Sequence, residues 1–171
     1  MALGNDWNDE NDVQYYKDLI NFINRAEFNG LVRVVGNLEY FGNHGSELFH
    51  YSSNRCVDDL DCKYLIVAPG TNICSTLPNN VVGLRTGTSM ATPVVVGAYA
   101  LLRGAFPDKK AIEILGLIDE SARKVNLDGE ALGDEYGVGV IDVESAINFA
   151  VEKGWTVKKG WFKKLIEFLF F

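Results

Sequence analysis

Hydrophobic positions in the first part of the chain form one helical stripe and several short runs. The stripe, at spacings of three and four residues, predicts an amphipathic helix over residues 13–26 with Asp12 as its N-cap. Runs rich in β-branched residues predict strands over residues 31–38 and 64–68, the second buried on both faces. Turn residues at 43–46 lie between two short aromatic segments and predict a hairpin.

The second half of the chain is predicted to be mainly helical. Residues 90–106 are apolar and rich in small side chains, which predicts a buried helix with other elements close against it. Asp108 is expected to cap a helix over residues 109–122, and a last helix is expected over residues 142–153, ended by Gly154. Short strands that alternate with helices are typical of an α/β domain with a mainly parallel sheet.

Composition narrows the class of protein without identifying a function. The chain has 171 residues, 47% hydrophobic and 23% charged, which suits one globular domain and not a disordered segment. Against 16 Lys and Arg stand 23 Asp and Glu, and the net charge of −7 argues against nucleic acid as a partner. The longest apolar stretch, residues 94–102, is far shorter than the ~20 residues of a membrane span, and the acidic N-terminus does not resemble a signal peptide.

Three cysteines leave the redox state of the chain open at this point. Cys56 and Cys62 close a short polar loop and form either a disulfide, in an oxidising compartment, or two reduced thiols. A metal site is disfavoured because no second Cys or His pair lies at zinc-finger spacing. Cys74 lies among apolar neighbours and is expected to be a small buried hydrophobic residue.

Ser89 is the position that carries the most chemical information. It follows a Gly-Thr pair and opens the predicted buried helix, so its hydroxyl is expected at the positive end of the helix dipole. A nucleophile beside free backbone N–H groups is the arrangement that acyl transfer requires. Position alone also fits a plain helix N-cap, which is the commoner role of a serine at a helix start.

The segment G-T-S-M-A-T-P at residues 87–93 resembles, residue for residue, the nucleophile motif of the subtilisin-like serine proteases. Residues 2–6 are similar to the A-x-G-N segment that supplies the oxyanion-hole asparagine in that family. Other segments that resemble the family are residues 34–36, 51–54, 68–73, 75–76 and 136–142. The likeness covers about residues 2–150.

This resemblance implies a fold, a reaction and site residues. The implied fold is a subtilisin-like three-layer α/β/α domain with a mainly parallel sheet, present as a partial domain over residues 1–153. The implied reaction is hydrolysis of peptide bonds in a polypeptide substrate through an acyl-enzyme, with no cofactor and no metal. Ser89 is implied as the nucleophile and, through its N–H, as one oxyanion donor, and the Asn5 side-chain amide is implied as the second donor.

The loop between Cys56 and Cys62 resembles that of the bacterial secreted and autotransporter branch of the family. This likeness implies that the two cysteines form a disulfide, worth about 2 kcal/mol by the loop-entropy argument. It also implies that the intact protein is secreted or lies in the cell envelope.

The histidine and aspartate of the family's catalytic triad are not expected in this chain. Both precede the oxyanion asparagine in the family, whereas only three residues lie between Met1 and Asn5. His44 and His50 fall in the predicted hairpin region and are expected to be surface residues. Val94 stands where family members usually carry a histidine that is not part of the triad. The chain is therefore expected to be the C-terminal half of a catalytic domain, inactive on its own.

Two alternatives to a protease fragment follow from the same residues. In one, the chain is a degenerate, non-catalytic relative that acts as a binding or pairing module. In the other, a separate polypeptide supplies the N-terminal half of the domain and completes the site. An isolated half-sheet is expected to aggregate, because it leaves a strand edge and a helix flank uncovered.

Residues 154–171 lie beyond the resemblance and are rich in aromatic residues and lysine. This pattern predicts a short amphipathic, basic helix in the tail. Packing of this tail on the domain, or its continuation into a further segment, is favoured over contact with a membrane surface.

Overall fold

Short strands and longer helices alternate in the computed structural model, which describes residues 1–6, 10–28, 30–41, 46–56, 62–124, 126–127, 130–131 and 136–160. In chain order the elements are α1 (Glu10–Ile23), β1 (Val34–Phe41), β2 (Ser46–Phe49), β3 (Leu65–Pro69), β4 (Ile73–Leu77), a 3-10 turn (Pro78–Asn80), β5 (Val81–Arg85), α2 (Thr88–Ala105), α3 (Ala111–Ser121), β6 (Asn126–Leu127), β7 (Glu130–Ala131) and α4 (Val143–Glu152).

The central sheet is built around β1 and is mainly parallel. β1 pairs in parallel with β3, and its second half pairs in antiparallel with β2 on the opposite edge. Ala2 forms a parallel bridge to Val35 of β1, and Val140 forms a parallel bridge to Val67 of β3. The first residues of the chain therefore lie at one edge of the sheet, directly before Asn5.

Helices cover both faces of this sheet, because successive strand residues point to opposite faces and both sets are apolar. One face packs against α1 through a buried cluster that includes Tyr16, Ile20, Val34, Leu65 and Val67. The other face packs against α2, α3 and α4 through a buried cluster that includes Val35, Ile66, Ala68, Leu102 and Ala146. The predicted α/β fold, with a mainly parallel sheet flanked by helices, is confirmed.

The helix starts differ from the predicted ones in their capping residues. α1 begins before Asp12, so that residue lies inside the helix and its predicted role as N-cap is wrong. Asp108 is not the cap of α3 either: the N-cap is Lys110, whose backbone N–H donates to the Glu113 carboxylate at 2.8 Å. α4 lies within the predicted residues 142–153, and its N-cap Asp142 accepts a backbone N–H of the first turn at 2.9 Å.

An antiparallel hairpin formed by β4 and β5 precedes α2 and is absent from the predicted elements. Its turn contains Asn79 and Asn80, both with positive φ (65° and 57°). The hairpin is largely exposed, with 69% of Val82 accessible to solvent. Cys74 on β4 is a free, exposed thiol, so the prediction of a buried Cys74 is wrong. Its apolar sequence neighbours lie in the exposed hairpin of β4 and β5 and not in the core, so they do not bury it.

The first residues of the predicted tail pack against the end of α2. The Trp155 ring meets Phe106 edge-on with ring centroids 5.4 Å apart, and the Lys158 N–H donates to the Ala105 carbonyl at 2.9 Å. The helix predicted further along the tail falls in residues 161–171, which lie outside the described residues. In the described ranges, no helix combines the length and apolar character needed to cross a membrane.

Candidate active site

Ser89 is the second residue of α2 and is exposed. The N-cap of this helix is Gly87, which has φ of +151° and makes no side-chain cap hydrogen bond. Ser89 is therefore not the N-cap of its helix. Among the described residues its hydroxyl has no hydrogen-bond partner, and its backbone N–H, in the first turn, has no acceptor.

Asn5, from the N-terminal segment, contacts the start of α2. The Thr88 N–H donates to Asn5 Oδ1 at 2.8 Å, across 83 residues of sequence. A Cβ placed on Gly87 would lie 3.2 Å from Asn5 Oδ1 and 3.4 Å from Asn5 Nδ2, so the amide lies directly against the loop before Ser89. Because the amide oxygen accepts this bond, Nδ2 is the part of the side chain left to donate.

The backbone around Asn5 is held by Asn54, which is 2% exposed. Asn54 Nδ2 donates to the Leu3 carbonyl at 3.3 Å, and Asn54 Oδ1 accepts the Asp6 N–H at 3.1 Å. The Asn54 N–H also donates to the Gly4 carbonyl at 3.0 Å. The role of Asn54 is not evident from its sequence neighbours; its membership of the family-like segment 51–54 is the one signal that could have indicated it.

Gly4 joins the two sides of the site through a second long-range bond. Its N–H donates to Thr88 Oγ1 at 3.2 Å, and its φ of +110° lies in the region that favours glycine. The Thr92 hydroxyl donates to the Thr88 carbonyl at 2.8 Å, and Pro93 lies inside the helix, beyond its first turn. The first turn of α2 is thus held by the N-terminal residues Gly4 and Asn5 and by the Thr92 side chain of the helix itself.

The electrostatic environment at the start of α2, beside Asn5, favours an anion. The N-terminus of a helix carries a partial positive charge and free N–H groups, and α2 has no acidic residue in its first turn. The Ser89 N–H and Asn5 Nδ2 are both donors without an acceptor in the described ranges. Two such donors beside a serine hydroxyl can stabilise negative charge that develops on a carbonyl oxygen.

The described structure does not bring a histidine to Ser89. His50 Nδ1 lies 2.9 Å from Ser52 Oγ, and the His50 ring lies 4.4 Å from the Tyr51 ring between centroids. His50 is half-buried and is occupied within its own turn. His44 lies outside the described residues. Within the described ranges, no cluster of His, Cys, Asp and Glu has the composition of a metal site.

An ion pair joins Glu47 of β2 to Arg123, which forms an isolated antiparallel bridge with Val140. Arg123 Nη1 and Nη2 donate to the two Glu47 carboxylate oxygens at 2.6 and 2.7 Å, and the Glu47 side chain is 4% exposed. The hydrogen bonding that Arg123 donates to the Glu47 carboxylate raises the pKa of Arg123. Burial, followed by the negative charge of Glu47, raises the pKa of Tyr40, which pairs with Glu47 across the strands.

Cys56 and Cys62 form a disulfide, with their Cα atoms 5.1 Å apart. The disulfide that the family resemblance implied is therefore confirmed. It closes the loop that follows Asn54, two residues after the side chain that holds the Asn5 segment.

The layered fold and the placement of a serine at the start of α2, a helix that packs one face on the sheet, define a subtilisin-like α/β domain, partial in this chain. The sequence profile of the Subtilase family (peptidase S8) matches residues 1–139 of the chain. The chain belongs to the subtilase family. It is thereby related to serine endopeptidases, and the family resemblance seen in the sequence is confirmed.

Individual relatives agree with this assignment. Subtilisin DY from Bacillus licheniformis is 37% identical over 83 residues, which make up 47% of this chain and 28% of that protein. The solved structure of the patellamide maturation protease PatA has a TM-score of 0.55 and 29% identity, covering 74% of this chain and 44% of that chain. Fervidolysin from Fervidobacterium pennivorans, a keratinolytic enzyme related to subtilisin, has a TM-score of 0.55 and 26% identity over 69% of this chain and 19% of its own. The chain thus spans less than half the length of each of these proteins.

Proposed function

We propose that this chain carries the nucleophile of a serine endopeptidase, with Ser89 as the nucleophile and the Ser89 N–H and Asn5 Nδ2 as oxyanion donors. The observation that carries this proposal is the 2.8 Å hydrogen bond from the Thr88 N–H to Asn5 Oδ1. It holds the Asn5 amide beside the first turn of α2, where Ser89 is exposed and its N–H has no acceptor among the described residues.

In the proposed reaction, Ser89 Oγ attacks the carbonyl carbon of a peptide bond in a polypeptide substrate. The serine proton passes to a general base and then to the leaving amine, which gives an acyl-enzyme that water hydrolyses. The carbonyl oxygen becomes negatively charged between Asn5 Nδ2 and the Ser89 N–H. Removing one such donor costs about 3 kcal/mol of transition-state stabilisation.

We propose that the general base and its carboxylate partner come from polypeptide other than the described residues. His50 is bonded to Ser52, which supports this proposal. Residues 1–153 then correspond to the C-terminal portion of a subtilase catalytic domain, and residues 154–171 to a separate amphipathic tail. The chain alone is expected to be inactive as a protease.

An apolar groove supports the proposal that further polypeptide packs here. It has a volume of about 360 Å³. Met1 and the start of β1 form one side of it, and α2 and α3 form the other. Its lining residues include Met1, Val35, Val95, Val96, Tyr99 and Leu115. Val96 is 60% exposed. Beside the groove, Ala2 forms an isolated parallel bridge to Val35. Within the described ranges no strand pairs with the other side of this segment, which leaves that side open to a further strand.

The disulfide between Cys56 and Cys62 supports a location in an oxidising compartment. We propose that the intact protein is secreted or lies in the cell envelope, as in the bacterial secreted and autotransporter branch. Both the likeness of the cysteine loop and the disulfide itself favour this location over the cytoplasm.

A fluorophosphonate probe tests the nucleophile directly, with Ser89→Ala as the control. The folded chain is labelled alone and after mixing with the part of Subtilisin DY that precedes its matched 83 residues. We expect labelling in the mixture, lost in Ser89→Ala and reduced by roughly two orders of magnitude in Asn5→Ala. Labelling of the chain alone would retain Ser89 and overturn the proposal of an external base. Absence of labelling in a mixture that binds would overturn the catalytic proposal.

A non-catalytic pairing module is the second candidate function. The observation that favours it is that no described residue hydrogen-bonds the Ser89 hydroxyl, so an activating base is not assembled within the described ranges. In that case the chain binds the complementary polypeptide through the groove, and Val96→Lys abolishes this binding. Light scattering on the chain alone gives a further test: exposed apolar surface predicts self-association, and a stable monodisperse monomer would contradict the groove as a docking surface.

A further inference from the structure

A buried asparagine lies beneath the candidate active site. Asn37 is fully buried and lies two residues after Val35, so it shares the face of β1 that is turned towards α2. Its backbone N–H donates to Ser53 Oγ and its carbonyl accepts the His50 N–H, both at 3.0 Å. Its side-chain Oδ1 accepts the Thr71 hydroxyl at 3.3 Å.

The amide nitrogen of Asn37 has no acceptor among the described residues. A buried donor without an acceptor carries a desolvation penalty that an apolar side chain of similar size would avoid. A polar side chain that costs stability, held directly below a candidate site, points to a role that stability does not explain.

Gly70 lies between Asn37 and the loop that leads to Ser89. A Cβ placed on Gly70 would lie 2.6 Å from Asn37 Oδ1, 2.7 Å from the Gly87 carbonyl oxygen and 2.9 Å from Ala91 Cβ. The Gly87 N–H donates to the Gly70 carbonyl at 2.9 Å, and the Gly70 N–H donates to the Leu38 carbonyl at 3.3 Å. Asn37, Gly70 and Gly87 are therefore stacked without space for one more carbon atom.

We propose that Asn37 is a positioning residue for the nucleophile loop. By holding Thr71 and filling the space against Gly70, its amide sets the position of Gly87. Gly87 in turn fixes the first turn of α2, which carries the Thr88 N–H that orients Asn5. The inference rests on the proposed role of Ser89 and adds a side chain that acts on that site through two backbone contacts.

The test uses the full chain and two variants. Asn37→Leu removes both the acceptor and the unsatisfied donor at similar size, and Thr71→Val keeps Asn37 but removes the hydroxyl that it binds. Amide hydrogen exchange is measured at Gly87 and Thr88, together with the thermal midpoint. Asn148→Leu, on the exposed face of α4, is the matched control.

We expect Asn37→Leu to leave the thermal midpoint unchanged or raised while exchange at Gly87 and Thr88 becomes at least tenfold faster. Thr71→Val shifts exchange in the same direction, and it decides the question if Asn37→Leu does not fold. Exchange that stays within twofold of the unmodified chain, or that rises only in step with a lost thermal midpoint, would overturn the proposal. These measurements need no catalysis, so the effect of Asn37 on the position of Gly87 and Thr88 is tested separately from the reactivity of Ser89, and the two failures are distinguishable.

Discussion

Asn54 ties the segment that carries Asn5 to the rest of the domain, and replacing it tests how the candidate site is held together. Asn54→Ala removes the bond to the Leu3 carbonyl and the bond from the Asp6 N–H, whereas the bond from its own N–H to Gly4 remains. The Leu3 carbonyl belongs to a residue with 0% exposure, so the variant leaves a buried acceptor without its side-chain partner.

The expected loss follows from these two bonds. At about 1 kcal/mol for each hydrogen bond, Asn54→Ala lowers the free energy of unfolding by about 2 kcal/mol. In a domain of this size that corresponds to a fall of about 4–8 °C in the thermal midpoint. The expected loss is larger than the roughly 0.5 kcal/mol of an ordinary surface substitution, so the experiment can separate the two.

Urea unfolding of the full chain measures this loss, with Asn148→Ala on the exposed face of α4 as the control. A second variant sharpens the test, because a Cβ on Gly4 would lie 2.5 Å from Asn54 Nδ2. Gly4→Ala should therefore cost less in the Asn54→Ala background than in the unmodified chain, with a coupling of at least about 1 kcal/mol. A loss below about 0.5 kcal/mol for Asn54→Ala, or additive effects in the double variant, would refute the described geometry.

Three further predictions concern the surroundings of the site. Glu47→Gln breaks the charged pair with Arg123 and is expected to lower the free energy of unfolding by about 2 kcal/mol in urea. Reducing the disulfide between Cys56 and Cys62 is expected to cost about 2 kcal/mol in the same assay. Because the pKa of Tyr40 is raised on folding, the unfolded state loses this proton first, so stability should fall as pH rises above about 10 and less steeply in Tyr40→Phe.

Each of these predictions has a matched control in the chain. Glu144→Gln removes an exposed carboxylate on α4 and should leave stability within about 0.5 kcal/mol. Cys74→Ser removes a free exposed thiol and should leave the effect of reduction unchanged. Tyr51→Phe removes a phenol that is 74% exposed and should keep the alkaline slope. An equal effect of any control and its test variant would contradict the corresponding contact.

The sequence predicts those elements whose apolar pattern reflects burial on one or two faces. Helical periodicity locates α1, and a long apolar run rich in small residues locates α2. The continuous apolar run around Ile66 locates β3, which is buried on both faces. The hairpin of β4 and β5 is not predicted in this way, because its strands are exposed on both sides and their apolar and polar residues do not alternate. Its turn residues Asn79 and Asn80 were the available signal, since asparagine tolerates positive φ.

The candidate site is only partly predictable for a different reason. Ser89 and Asn5 are identified by local motifs, but their relation to each other rests on contacts between distant parts of the chain. Asn54 and Asn37 act through hydrogen bonds to residues 34 to 51 positions away in the sequence. The residues next to them in the sequence do not indicate these contacts. The caps proposed at Asp12 and Asp108 fail because several polar residues compete at a helix start, and the choice depends on where the helix packs.

The bond between Thr88 and Asn5 links chemistry to the order of folding. Its partners are 83 residues apart, and such a contact forms after the loop-closure entropy of nearly half the chain has been lost. A partly folded chain that already has α2 would present Ser89 without its oriented amide. The site that we propose at Ser89 and Asn5 would therefore be completed only after α2 has formed.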